Sequence, residues 1–146
     1  MRNKKYNYDI YIKGRAHDNI ASCAIIVIED GVEIFSGGMR FVDNIQTQSE
    51  VIPLLPYKSQ YQMELYALAW ALTKCKEDSY VNIYTNNIVF KTWIERMEVG
   101  IDYNDLFTYC KKFMNGKKVE AQHIKKGSDS FTERCNDIAV NYEQLT

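Results

Sequence analysis

Hydrophobic and polar positions alternate over Tyr8–Lys13, where Ile10 and Ile12 sit between Asp9, Tyr11 and Lys13, and a period of two predicts a strand. A polar turn region, GRAHDN, follows. Ala21–Glu29 is continuously apolar, which predicts a strand buried on both faces. Asp30-Gly31 is a hairpin signal, and Val32–Phe35 returns as a third strand, so the first three strands form an antiparallel meander. Met39–Ser59 carries VIPLLPY, and Pro53 and Pro56 exclude a regular helix or a central strand there. The expectation is a long loop, docked through Val51, Ile52, Leu54 and Leu55.

The strongest helical pattern spans Gln60–Lys76, with Met63, Ala67, Trp70 and Ala71 at helical spacing and Leu68 and Leu72 alongside. Val81–Thr85 reads as a strand, and Ile88–Met97 and Asn104–Met114 as helices, the latter stopped by Gly116. Val119–Ile124 is a further strand. Phe131–Tyr142 is a last helix, with Ser130 or Thr132 as its N-cap. The predicted order is β-β-β-α-β-α-α-β-α, an α/β pattern.

Composition narrows the class without changing that order. A chain of 146 residues, 46% hydrophobic and 25% charged, has the size and balance of one globular domain spanning residues 1–146. No apolar run approaches the roughly 20 residues that cross a bilayer. The basic start, MRNKKYNYDIYIKG, turns polar before a signal-peptide core could form. A cytoplasmic protein with no membrane partner is expected. Cys23, Cys75, Cys110 and Cys135 are widely spaced, without a CxxC pair, and read as reduced thiols packed as small hydrophobes. His17 and His123 are too few and too scattered for a metal cage.

A formal net charge of −1 weighs against a strong, non-specific nucleic-acid binder. Lys111, Lys112, Lys117 and Lys118 nevertheless cluster around Gly116, and Lys125 and Lys126 follow. A solvated helix end and turn is the simpler reading, and a phosphate-contacting surface the alternative.

The element order, with particular residues at particular junctions, resembles the ribonuclease HI family over nearly the whole chain. Tyr11-Ile12-Lys13-Gly14-Arg15 looks like that family's first strand, which ends in Asp-Gly-Ser, and Asn19 stands where its following loop carries an Asn. Gln62-Met63-Glu64-Leu65 is similar to the family's Arg-Met-Glu-Leu, and Glu133-Arg134-Cys135-Asn136 to its Glu-Arg-Cys-Asp. Tyr84-Thr85-Asn86 closes the fourth strand at the corresponding point. The resemblance implies a ribonuclease H-like three-layer fold. Its mixed five-stranded sheet would join the meander to two parallel strands, with helices on both faces. The short segment between Trp93 and Asn104 implies that the basic handle helix of some members is absent.

In that family four carboxylates hold two Mg²⁺ ions, which activate a water and position the scissile phosphate. Carried over residue by residue, the four positions are Lys13, Glu64, Asn86 and Asn136. Only Glu64 is still acidic, and the bridging position holds a cation. Two unit charges 4 Å apart interact by about 4 kcal/mol at an effective dielectric of 20, and a dication facing an ammonium is repelled about twice as strongly. The expectation is therefore a degenerate centre with no cofactor, in which Lys13 takes over the electrostatic role of a metal and pairs with Glu64. Magnesium or manganese at Glu64 belongs only to the alternative of an active nuclease. Among nearby acids, Asp137 points about 100° away around the helix, and Asp9 lies roughly 13 Å along the strand. Asp129 and Glu133 are the best candidates to rescue the site, since the family's loop before the last helix borders the active site and often carries a catalytic His.

Three functions follow in order of preference. The first is an inactive module that binds RNA–DNA hybrid or other nucleic acid, with Arg15, Asn19, Gln60 and Tyr61 along the groove and Lys125 and Lys126 on phosphates. The second is a protein-interaction or structural domain that uses the Val51–Tyr57 loop to bind a partner. The third is an active metal-dependent ribonuclease H cutting RNA in hybrids. Replacement of most of the family's glycines by Ile20-Ala21-Ser22-Cys23 weakens the case for close backbone approach to a strand.

Overall fold

The computed structural model describes residues 5–17, 20–42, 59–125 and 128–144. Its strands are β1 (Tyr6–His17), β2 (Ile20–Glu29), β3 (Val32–Val42), β4 (Ser79–Thr85) and β5 (Lys117–His123). Its helices are α1 (Gln60–Leu72), α2 (Ile88–Arg96), α3 (Asn104–Met114) and α4 (Ser130–Glu143), with a short 3-10 turn at Ile101–Tyr103. The five strands form one mixed sheet in the order β3-β2-β1-β4-β5. β1, β2 and β3 are antiparallel neighbours, whereas β4 runs parallel to β1 and β5 parallel to β4.

The hairpin turn behaves as its sequence demands. Asp30 and Gly31 both have positive φ, 48° and 86°, the pair of left-handed residues that matches the twist of the flanking strands. Several boundaries differ from the sequence reading, and β4 and β5 each begin two residues earlier, at Ser79 and Lys117. β1 does not end at Lys13, because Gly14–His17 continue the ladder opposite Cys23–Ile20. β3 runs on to Val42, so Met39 belongs to a strand rather than to a loop. The helix expected to reach Lys76 stops at Leu72. At the last helix the N-cap is neither Ser130 nor Thr132 but Asp129, whose side chain accepts from the Thr132 amide at 2.7 Å. Residues 43–58, including the Val51–Tyr57 segment, lie outside the described residues.

Alternation along β1 divides the core. Tyr8, Ile10 and Ile12 face α1 and α3, joining Cys23, Ile25, Val27, Val81 and Ile83 in the larger cluster. Tyr11 faces the other way, towards α4, where Ala24, Ile26 and Ile28 meet Cys135 and Ala139. Helix α1 is wedged between the sheet and α3, so it is buried on nearly every side from Gln62 to Leu72. Helix α2 is capped at Met97 (φ 55°), and only residues 97–103, including the 3-10 turn, separate it from α3, which leaves no room for a handle helix. All four cysteines are buried free thiols, with pKa values pushed up to about 12, chiefly by burial. No described helix is long and apolar enough to cross a membrane.

Candidate functional site at the ends of β1 and β4

The parallel ladder between β1 and β4 closes at Tyr11 opposite Tyr84. Lys13 and Asn86 each lie two residues further on, so the ladder delivers them side by side. Side chains alternate along a strand, which puts Lys13 on the α4 face with Tyr11 and turns Gly14 towards α1. On that α4 face Lys13, Asn86 and Asn136 line one cavity with Tyr11, Thr85 and Thr132. It is small, about 10 Å³, or roughly the room of one water. Two buried oxygens here, Asn136 Oδ1 and Thr132 Oγ1, have no hydrogen-bond partner among the described residues.

Glu64 approaches from the opposite face. A Cβ at Gly14 would stand 2.7 Å from the Gln60 carbonyl oxygen and from the Glu64 amide nitrogen, so the glycine is what lets α1 settle onto the strand end. Glu64 is fully buried. Its Oε1 accepts from Asn87 Nδ2 at 2.7 Å, and its Oε2 from Gln60 Nε2 at 3.3 Å. Burial pushes its pKa up to about 7, against the opposing pull of the two amides and, least of all, the Lys13 charge. The four positions expected from the resemblance are thus gathered at one end of the sheet. Three share a cavity, and Glu64 abuts it through Gly14 and Asn87, the chain neighbours of Lys13 and Asn86.

A second, wider cavity of about 150 Å³ opens beside the first, lined by Lys13, Arg15, His17, Gln60 and Glu143. Arg15 crosses to the last turn of α4, where its Nε and Nη2 both donate to Glu143 Oε1, at 3.2 and 3.0 Å. Of the groove residues expected from sequence, Arg15 and Gln60 therefore meet. Tyr61 does not join them, because its ring packs against Trp93 and Tyr103. Lys125 is exposed after β5 and lines neither cavity. Asn19 and Lys126 lie outside the described residues. The clustered lysines behave as a solvated helix end, with Lys111 and Lys112 exposed over the Phe107 and Tyr109 rings.

None of the acids considered as replacements lines either cavity, and Asp129 adjoins the first one through Tyr11 and Thr132. Asp129 is engaged as the α4 cap and as a neighbour of Tyr11. Asp9 accepts from Tyr84 Oη at 3.2 Å, and Glu133 and Asp137 are exposed. Sequence reasoning missed Asn87 and Glu143. Asn87 caps α2 while it holds Glu64, and its position next to Asn86 was the available signal. Glu143 carried none, being 128 residues from its partner.

The donor set does not fit a pair of magnesium ions. Each oxygen of the one acidic group already accepts from a neutral amide, and the cavity beside it is lined by the cationic Lys13 and the uncharged amides of Asn86 and Asn136. Among the described residues no group of three or more His, Cys, Asp or Glu side chains could hold a metal.

Strand order, the meander, the two parallel strands and the helices on both faces define the ribonuclease H-like fold. Comparison with solved structures agrees. RNase H1 from the halophilic archaeon Halobacterium salinarum superposes with a TM-score of 0.71 at 14% identity, covering 93% of this chain and 96% of that one. The N-terminal RNase H domain of a Mycobacterium tuberculosis protein, solved as a fusion with maltose-binding protein, gives 0.70 at 10% identity, covering 94% and 93%. LC11-RNase H1, solved in complex with RNA/DNA hybrid, gives 0.68 at 12% identity, covering 93% and 96%. No protein-family model and no curated protein matches the sequence.

Proposed function

We propose that this protein binds RNA–DNA hybrid, or nucleic acid of similar shape, on a ribonuclease H scaffold without two-metal hydrolysis. The observation that carries the reading is Lys13, a cationic residue that lines the cavity with Asn86 and Asn136 at the end of the β1–β4 ladder. A cation there opposes divalent ions and favours phosphate, so the change that removes the hydrolytic chemistry also supplies a backbone contact. The hybrid held by LC11-RNase H1, on a fold that superposes along almost the whole chain, supports the choice of ligand. Arg15 and Gln60 extend the same polar surface.

Two measurements test it. Titration of a labelled hybrid at rising salt is expected to show a log affinity that falls linearly with log salt. Absence of binding at low salt would remove the reading and favour a domain that kept only the fold. A cleavage assay with Mg²⁺ and with Mn²⁺, run beside Glu64→Gln, is expected to give no Glu64-dependent product. Cleavage lost on that substitution would make the protein a nuclease with a rearranged site.

A further inference from the structure

Among the described residues, two arginine–glutamate pairs tie α4 to the sheet, and they differ in quality. Arg134 meets Glu33 fork to fork, Nη1 to Oε1 at 2.7 Å and Nη2 to Oε2 at 2.9 Å, the arrangement in which both carboxylate oxygens are satisfied. Arg15 instead directs its Nε and Nη2 donors to a single oxygen, Glu143 Oε1. Glu143 Oε2 is buried and has no hydrogen-bond partner among the described residues. Leaving a buried acceptor unpaired costs free energy, so this second pair is held less firmly than its geometry at Oε1 alone implies.

The poorer pair is also the one that borders open space. The cavity beside it, about 150 Å³, is some ten times the roughly 10–15 Å³ that one water needs. Its charged lining is Lys13 and Arg15 against Glu143, with Gln60 and His17 as further polar groups, a set that favours anions. Arg15 keeps a third of its side chain exposed, whereas Glu143 keeps 12%. A guanidinium reached from solvent, and bonded to only one oxygen of its present partner, is suited to take a tetrahedral anion by its fork.

We propose that the cavity between the end of β1 and the last turn of α4 is a phosphate site anchored by Arg15, and that Glu143 is its internal placeholder, displaced when a backbone phosphate enters. The site rests on the nucleic-acid reading above for its natural ligand, though not for its chemistry. Glu143 then acts as a competitor carried on the chain itself. It sets the affinity of the site without touching the ligand.

A double-mutant cycle on hybrid binding tests the exchange. Glu143→Gln is expected to tighten binding about 3- to 10-fold at low salt, because the competing charge is gone. Arg15→Gln is expected to weaken binding and reduce the salt slope by about 1. In the Arg15→Gln background the Glu143→Gln gain disappears. Glu33→Gln, which removes one negative charge from the other pair, is the control and is expected to give a smaller gain. Equal gains from both glutamates, or a Glu143→Gln gain that persists without Arg15, would show a general charge effect and overturn the proposal. In a separate arm, inorganic phosphate is titrated while the Arg15 Nε–H resonance is followed. A saturable shift, tighter in Glu143→Gln, with no hybrid binding by any variant, would keep the phosphate site and discard the nucleic-acid reading. Hybrid binding indifferent to both substitutions, with no phosphate shift, would do the reverse.

Discussion

On the side of the sheet covered by α1 and α3, large apolar side chains from β1, β2 and β4 interlock with a helix that is buried almost all round. On the side covered by α4, the corresponding layer is smaller: Ala24, Ile26 and Ile28 meet Cys135 and Ala139 with Tyr11, Phe131 and Ile138 alongside, and polar cavities and oxygens without partners among the described residues lie beside it. A polar tie, Ser22 Oγ donating to the Ala139 carbonyl at 2.7 Å, is fully buried within that thin layer. The contrast separates two jobs of one scaffold. The α1 side holds the larger core, and the α4 side, with its polar cavities, is expected to be the more adaptable. Of the four site positions expected from the resemblance, the one on the α1 side, Glu64, is acidic, while Asn136 on α4 and the strand-end residues Lys13 and Asn86 are not.

The largest expected effect that would break this contrast is on the α1 side. Leu68→Ala, at a fully buried position, is expected to cost about 2–5 kcal/mol in urea unfolding. A loss below about 1 kcal/mol would mean that the α1 layer is not the principal core.

Glu64 gives the next effect, in pH rather than in packing. Its folded pKa is about 7, raised from 4.5, so the folded state binds its proton more tightly than the unfolded state does. The stabilisation is complete below pH 4.5 and is lost as pH rises to 7 and beyond, by roughly 3 kcal/mol in all. Unfolding free energies at pH 5 and pH 8 are expected to diverge for the wild type and to converge for Glu64→Gln. An unchanged pH slope in that variant would place the titration elsewhere.

The sharpest comparison uses two glycines, one on each side. At Gly14 a new Cβ meets the α1 backbone at 2.7 Å, which cannot move without shifting the helix, and Gly14→Ala is expected to cost roughly 3 kcal/mol. At Gly38 the nearest atoms, 2.6 and 2.9 Å away, belong to the side chains of Tyr142 and Ile138, which can turn aside. Gly38→Ala is expected to cost about 1 kcal/mol. Thermal unfolding of the two variants in parallel measures the difference, and a larger loss at Gly38 would invert the assignment of rigid and adaptable sides.

The same division explains what could be read from the sequence. The α1 side was legible because its burial is periodic: alternation in β1, a continuous apolar run in β2, and helical spacing in α1. The Asp30-Gly31 turn fixed the hairpin register. Gly14–His17 was misjudged because a polar stretch with glycine reads as a turn, although the ladder to β2 continues through it. The end of β3 was hidden in the same way. Gly37 and Gly38 look like breakers, yet Gly38 is small because α4 presses on it. At the candidate site the strand-end and helix positions followed from short motifs. The arrangement of Asn87 and Glu143 came only from packing, since no local pattern announces a partner across the fold.

The buried thiols have a practical consequence. Cys23, Cys75 and Cys110 sit in the α1 layer and Cys135 in the α4 layer, and burial keeps all four protonated and unreactive. The chain therefore carries built-in chemical clocks on both sides of its sheet: the rate at which each sulfur is alkylated reports how often its own layer breathes open.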